Sequence, residues 1–91
     1  MQIGIVAGSG NLPGIIATDA KERGFKVVTV ALEGLASEEL NKLSDKISWI
    51  NIGKLDKIIK TFKDNKIKSV IIAGKVPKTL LIKSKIIPDL R

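Results

Sequence analysis

Short runs rich in isoleucine and valine alternate along this chain with segments that have the pattern of helices, and this alternation restricts the fold more than any other feature. The predicted strands are Gln2–Ala7, Lys26–Leu32, Ile47–Ile52 and Ser69–Ala73. Strand-helix-strand units of this spacing form parallel sheets with right-handed crossovers. We therefore predict an α/β fold, a Rossmann-like open parallel sheet of about four strands in the order 3-2-1-4, with helices on both faces.

The segments between the runs carry the start and stop signals of helices. The first begins after Asn11, a typical N-cap residue, has Pro13 in its first turn and ends before Gly24. A short helix is predicted over Ser37–Leu43, and the strongest pattern is Lys54–Asn65, where apolar residues share one side and lysines cover the rest. Each helix therefore has an apolar face that can cover the sheet.

Composition limits both the number of domains and the available chemistry. Ninety-one residues with 44% hydrophobic content suffice for one small domain. Cysteine and histidine are absent, which excludes disulfides, thiolate zinc sites and a histidine general base within this sequence. The sequence has no apolar run long enough to cross a bilayer and no leader resembling a signal peptide, so a cytoplasmic location is expected.

The net charge of +7 is concentrated in the C-terminal half of the chain. Residues 1–53 carry five basic and six acidic side chains, whereas residues 54–91 carry eleven basic and three acidic ones. Such a half would attract anions in general, although a solvated lysine face is the favoured explanation. Fourteen of the cations are lysines, and the aromatic residues Phe25, Trp49 and Phe62 are scattered, a composition that disfavours nucleic-acid recognition.

Glycines end two of the predicted strands, and these turns are the candidate binding sites. Gly8, Ser9 and Gly10 follow the first strand and lead into Asn11, and Gly74 with Lys75 follows the last strand. Ligands of open parallel sheets bind at the carboxyl ends of the strands, where main-chain amides and a helix N-terminus can hold phosphate. The alternative for the first turn is a tight turn in which glycine supplies only a positive φ.

The dinucleotide fingerprint GxGxxG is incomplete here, because Pro13 occupies its third glycine position. Glu33 follows the second strand where a ribose-binding acid would lie, so a nucleotide-binding domain of an NAD-type oxidoreductase is one alternative. A basic interaction module for nucleic acid or anionic lipid is another. No pair of carboxylates is spaced like an acid/base dyad, which favours binding over catalysis.

Four motifs occur in order along the chain: AGSGNLP over Ala7–Pro13, ALEG over Ala31–Gly34, IGKL over Ile52–Leu55 and AGKV over Ala73–Val76. In this order and spacing they resemble the N-terminal domain of the LpxI-type UDP-2,3-diacylglucosamine pyrophosphatases of lipid A biosynthesis. The resemblance extends over nearly the whole chain. It implies a magnesium-dependent hydrolase that splits UDP-2,3-diacylglucosamine into lipid X and UMP.

The resemblance also implies how the work is divided between domains. Family members hold the ligand between two domains, and the catalytic acid and the magnesium ligands belong to the C-terminal domain. Residues 1–77 would then form the Rossmann-like ligand-binding domain, and residues 78–91 would lead toward a catalytic domain absent from this sequence. No catalytic or metal-binding residue is expected in this chain, which would be inactive alone.

The partners implied by the resemblance are the lipid-linked UDP-sugar or lipid X and the chain's own C-terminal domain. A homo-oligomer and a peripheral contact with the inner membrane stay open, and no nucleic acid is expected. The residues expected to contact substrate are Gly8, Ser9, Gly10, Asn11, Glu33, Gly74 and Lys75.

Overall fold

The computed structural model describes residues 1–76. Its elements in chain order are β1 (Gln2–Ala7), α1 (Leu12–Glu22), β2 (Lys26–Leu32), α2 (Leu40–Leu43), β3 (Lys46–Ile50), α3 (Leu55–Asp64) and β4 (Val70–Ala73). The predicted segment 78–91, and with it the boundary placed after residue 77, lies outside the described residues.

The four strands form one parallel sheet in the order β3-β2-β1-β4, as the sequence predicts. The register sets Ala7 of β1 beside Ala31 of β2 and Ala73 of β4. The carboxyl ends of these three strands therefore lie level at one edge of the sheet, which we call the C-terminal edge. The turns that follow β1 and β4 both begin at this edge.

Helices cover both faces of the sheet, and alternate strand residues pack against them. On one face Ile5 packs in a cluster with Ala17 of α1 and Leu40 of α2. On the other face Val6 packs with Ile58 and Phe62 of α3. None of the helices within residues 1–76 is both long enough and apolar enough to span a bilayer.

Two predicted elements differ from the observed ones by more than one residue at an end. The helix predicted over Ser37–Leu43 is shortened to α2, because Ser37 forms a local turn in which its hydroxyl accepts from the amide of Glu39 at 3.2 Å. The strand predicted over Ile47–Ile52 is β3 instead, since Asn51 starts a turn by accepting the amide of Gly53 at 2.8 Å through its side chain. Ser37 and Asn51 each accept a hydrogen bond from the backbone amide two residues later, so the chain turns locally at both positions.

Candidate anion-binding site

The turns after β1 and β4 are joined at the C-terminal edge by backbone hydrogen bonds. The amide of Ser9 donates to the carbonyl of Lys75 at 3.1 Å, and the amide of Lys75 donates back to the carbonyl of Ser9 at 3.0 Å. The amide of Gly8 donates to the carbonyl of Ala73 at 2.9 Å. The structure thus brings together two glycine turns that lie far apart in the sequence.

Glycine is required on both sides of this junction for steric reasons. A Cβ atom at Gly8 would overlap the carbonyl oxygen of Lys75. At Gly74, where φ is +85°, a Cβ atom would lie 2.5 Å from the carbonyl oxygen of Ser9 and 3.1 Å from Cγ of Pro13. Each turn can therefore approach the other only because it lacks a side chain at this point.

The junction changes the predicted role of the first turn. The amides of Gly8 and Ser9 donate within the fold, so the interpretation that they face an anion is wrong for these two groups. Among the described residues, the amides of Gly10, Asn11 and Gly14 have no hydrogen-bond acceptor. Pro13 has no amide hydrogen, and Asn11 makes no side-chain cap. Free donors at the start of α1 therefore lie just beyond the junction.

Lys75 is held next to these donors by its own backbone. Its bridge to Ser9 fixes the main chain at the C-terminal edge, and its side chain is exposed. Within residues 1–76 its ammonium group pairs with no carboxylate, since the ion pairs there join Lys21 to Asp45 and Arg23 to Asp19. A cation and the positive end of a helix thus occupy the same edge.

A cleft of about 490 Å³ begins at this helix start and runs between α1 and α2. Gly10, Asn11 and Gly14 line one end of it, and Leu40 and Leu43 contribute apolar surface. The remaining lining residues are Pro13, Ile15, Thr18, Asp19, Glu22, Ser37 and Glu39. The cleft therefore has amide groups at one end and walls that carry both apolar and acidic side chains.

Glu33 is positioned differently from the other predicted site residues. It follows β2, and its amide donates to the carbonyl of Ile50 at 3.1 Å. It lines a second cleft, of about 420 Å³, between β3 and α3 on the other face of the sheet. Six of the seven predicted site residues therefore lie at the junction or at the adjacent start of α1. Glu33 lies at a separate cleft.

Acidic side chains are dispersed rather than clustered in the described part of the chain. No three carboxylates within residues 1–76 lie close enough together to hold a metal ion. The resemblance assigns the magnesium ligands to a C-terminal domain, and that assignment stays a prediction.

Comparisons with known proteins agree with this architecture. A family model described as the LpxI N-terminal domain matches residues 2–91. Among solved structures, a phosphoribosylglycinamide synthetase from Anaerococcus prevotii is similar in fold, with a TM-score of 0.60 and 21% sequence identity. That match covers 78% of this chain and 18% of the synthetase, so this chain spans less than a fifth of that enzyme. No curated protein matches the sequence.

Proposed function

The chain belongs to the family of LpxI N-terminal domains, which are related to lipid A biosynthesis, and from this membership we propose that it is the ligand-binding domain of a UDP-2,3-diacylglucosamine pyrophosphatase. The ligand would be UDP-2,3-diacylglucosamine or its product lipid X. The observation that carries the proposal is the junction of the β1 and β4 turns, which sets Lys75 beside the uncapped start of α1.

A phosphate group would bind where these donors meet. The amides of Gly10, Asn11 and Gly14 would donate to phosphoryl oxygens, and the Lys75 ammonium would neutralise charge beside them. The hydroxyl of Ser9 lies on the same turn and is a further donor. Charge-assisted bonds of this kind are the stronger class of hydrogen bonds, so a few of them can hold one phosphoryl group.

Apolar surface next to the amides supports a ligand that carries hydrocarbon. Leu12 and Ile15 lie in the first turn of α1, are 51% and 61% exposed, and are neighbours on the helix surface at a spacing of three residues. Ile15 also lines the cleft between α1 and α2, together with Leu40 and Leu43. Acyl chains of the glycolipid would cover this surface while the phosphate contacts the helix start.

Hydrolysis would require residues outside this chain. The described residues offer anion donors and a lysine, but no cluster of carboxylates for a metal. The domain would therefore orient the phosphate, and a C-terminal domain would supply the magnesium ion and the catalytic acid. Held main-chain donors stabilise charge on phosphoryl oxygens, by about 3 kcal/mol for a donor in a water-excluded site.

Calorimetric titration of the 91-residue chain tests the proposal. We expect lipid X and UDP-2,3-diacylglucosamine to bind and NADH not to bind. Lys75→Ala should weaken lipid X binding by about tenfold, the equivalent of one charged contact. Lys68→Ala is the matched control, because Lys68 is exposed and precedes β4 at the opposite edge of the sheet.

A second matched pair tests the turn itself. Gly10 and Gly34 both have positive φ, +99° and +81°, and an added Cβ would meet no atom within 4 Å at either position. Alanine therefore introduces similar backbone strain at both, but only Gly10→Ala should weaken lipid X binding. Equal affinity losses in the two variants, or tight binding of NADH with none of lipid X, would contradict the proposal.

A further inference from the structure

The cleft between β3 and α3 lies across the sheet from α1 and α2, and three lysines line it. Lys54, Lys57 and Lys60 recur every three residues, so their Cα atoms span about 9 Å along the α3 side of the cleft. Ser48 and Asn51, at the end of β3, line it from the strand side. The volume of the cleft is about 420 Å³, enough for a small molecule.

These three lysines have no ion-pair partner within residues 1–76, where the ion pairs involve Lys21 and Arg23. Like charges on one helix repel each other, so a bound anion would relieve this repulsion. Lys63 lies on the same helix but does not line the cleft. Three exposed lysines therefore face one cleft, and Lys63 lies outside it.

Two carboxylates restrict the size and type of the anion. Glu33 and Asp64 also line the cleft, and they would repel a long polyanion such as a nucleic-acid strand. Carboxylates accept hydrogen bonds from hydroxyl groups, so they suit a ligand that carries hydroxyls beside its phosphate. A cleft that has both lysines and carboxylates therefore suits a small phosphate ester that also carries hydroxyl groups.

We propose that the β3–α3 cleft is a second anion site, which binds the phosphate group of a small phosphorylated molecule through Lys54, Lys57 and Lys60. The site is independent of the proposed phosphate site at the start of α1, because it lies on the other face of the sheet and does not include Lys75; Glu33, predicted from the sequence to contact substrate, lines this cleft instead. Its phosphate can belong to a soluble ester or to a lipid headgroup, which share the same chemistry.

Titration of the ¹⁵N-labelled chain, followed by NMR, tests this site with inorganic phosphate and ribose 5-phosphate as probes. Shifts are expected at the amides of Asn51, Lys57 and Thr61. The double variant Lys57→Gln/Lys60→Gln should weaken ribose 5-phosphate binding by about tenfold or more. Lys63→Gln/Lys68→Gln removes the same charge outside the cleft and should leave the affinity within about twofold.

Further experiments distinguish a soluble ester from a lipid headgroup as the source of the phosphate, and they test the competing explanations. Binding to phosphatidylcholine vesicles that requires added phosphatidylglycerol and the cleft lysines would support the site and identify a headgroup as the source. Equal losses in the two double variants would overturn the proposal in favour of diffuse charge attraction. Preferential binding of a single-stranded oligonucleotide would overturn it as well. Lys75→Ala should not affect this cleft, so failure here is distinguishable from failure of the lipid X proposal.

Discussion

Replacing Gly8 with alanine tests whether contact between the β1 and β4 turns explains the glycine at this position. The new Cβ atom would overlap the carbonyl oxygen of Lys75 and approach Cγ1 of Val76 to 2.8 Å. The first of these neighbours is backbone, which cannot rotate away as a flexible side chain can. The two turns would have to separate, and the paired bonds between Ser9 and Lys75 would lengthen or break.

The expected cost follows from these two effects. Loss of two backbone hydrogen bonds costs about 0.5–1.5 kcal/mol each. Forcing an extra methyl group into a packed site adds about 1–3 kcal/mol. Together they predict a loss of about 4 kcal/mol in the free energy of unfolding, within a range of about 2–6 kcal/mol. For a domain of this size each kcal/mol corresponds to a change of about 4–8 °C in Tm, so Tm should fall by well over 10 °C.

Thermal unfolding followed by circular dichroism measures this effect, and Gly14→Ala is the matched control. Gly14 lies in the first turn of α1, and a Cβ atom there would meet Cδ1 of Leu43 at 3.4 Å, an ordinary contact. Alanine favours helix by about 1 kcal/mol over glycine, so the control should melt at the wild-type temperature or above it. If Gly8→Ala melts within a few degrees of the wild type, the steric account of the junction is refuted.

Two further predictions concern the core. Gly4→Ala would set a Cβ atom 2.7 Å from Cε1 of Phe62, so it should lower the free energy of unfolding, measured in urea, by about 1–3 kcal/mol. Adding Phe62→Leu removes the clashing ring and should recover part of this loss. If it recovers none, the ring is not the cause. Thr29 is fully buried, and its hydroxyl bonds that of Ser44 at 2.6 Å, so Thr29→Val should cost about 1 kcal/mol. Adding Ser44→Ala should cost less than the sum of the single changes, whereas strict additivity would argue against the bond.

Much of the fold is predictable from local sequence patterns. The limits of β1 and β2 match the runs of isoleucine and valine, and α3 differs from its predicted range by one residue at each end. The strand order β3-β2-β1-β4 was predicted from the Rossmann-like pattern, with which right-handed crossovers are compatible. The shorter α2 was not predicted, because Ser37 can cap a helix or close a local turn, and its sequence neighbours do not decide between the two.

The position of the two glycine turns was predictable, but their contacts were not, and a ligand site there stays a prediction. Glycines at the ends of β1 and β4 indicated the C-terminal edge, where both turns lie. That Gly8 and Gly74 make room for each other depends on contacts between distant segments, and no local pattern encodes such contacts. The same holds for Gly4, whose missing side chain makes room for Phe62 of α3.

The most direct test of the proposed function is an NMR titration of the ¹⁵N-labelled 91-residue chain with lipid X. The largest amide shifts should occur at Gly10, Asn11 and Gly14, with further shifts at Lys75, because these groups would contact the phosphate. Shifts confined to other surfaces, or none at all in the presence of saturating ligand, would contradict a phosphate site at the junction of the β1 and β4 turns.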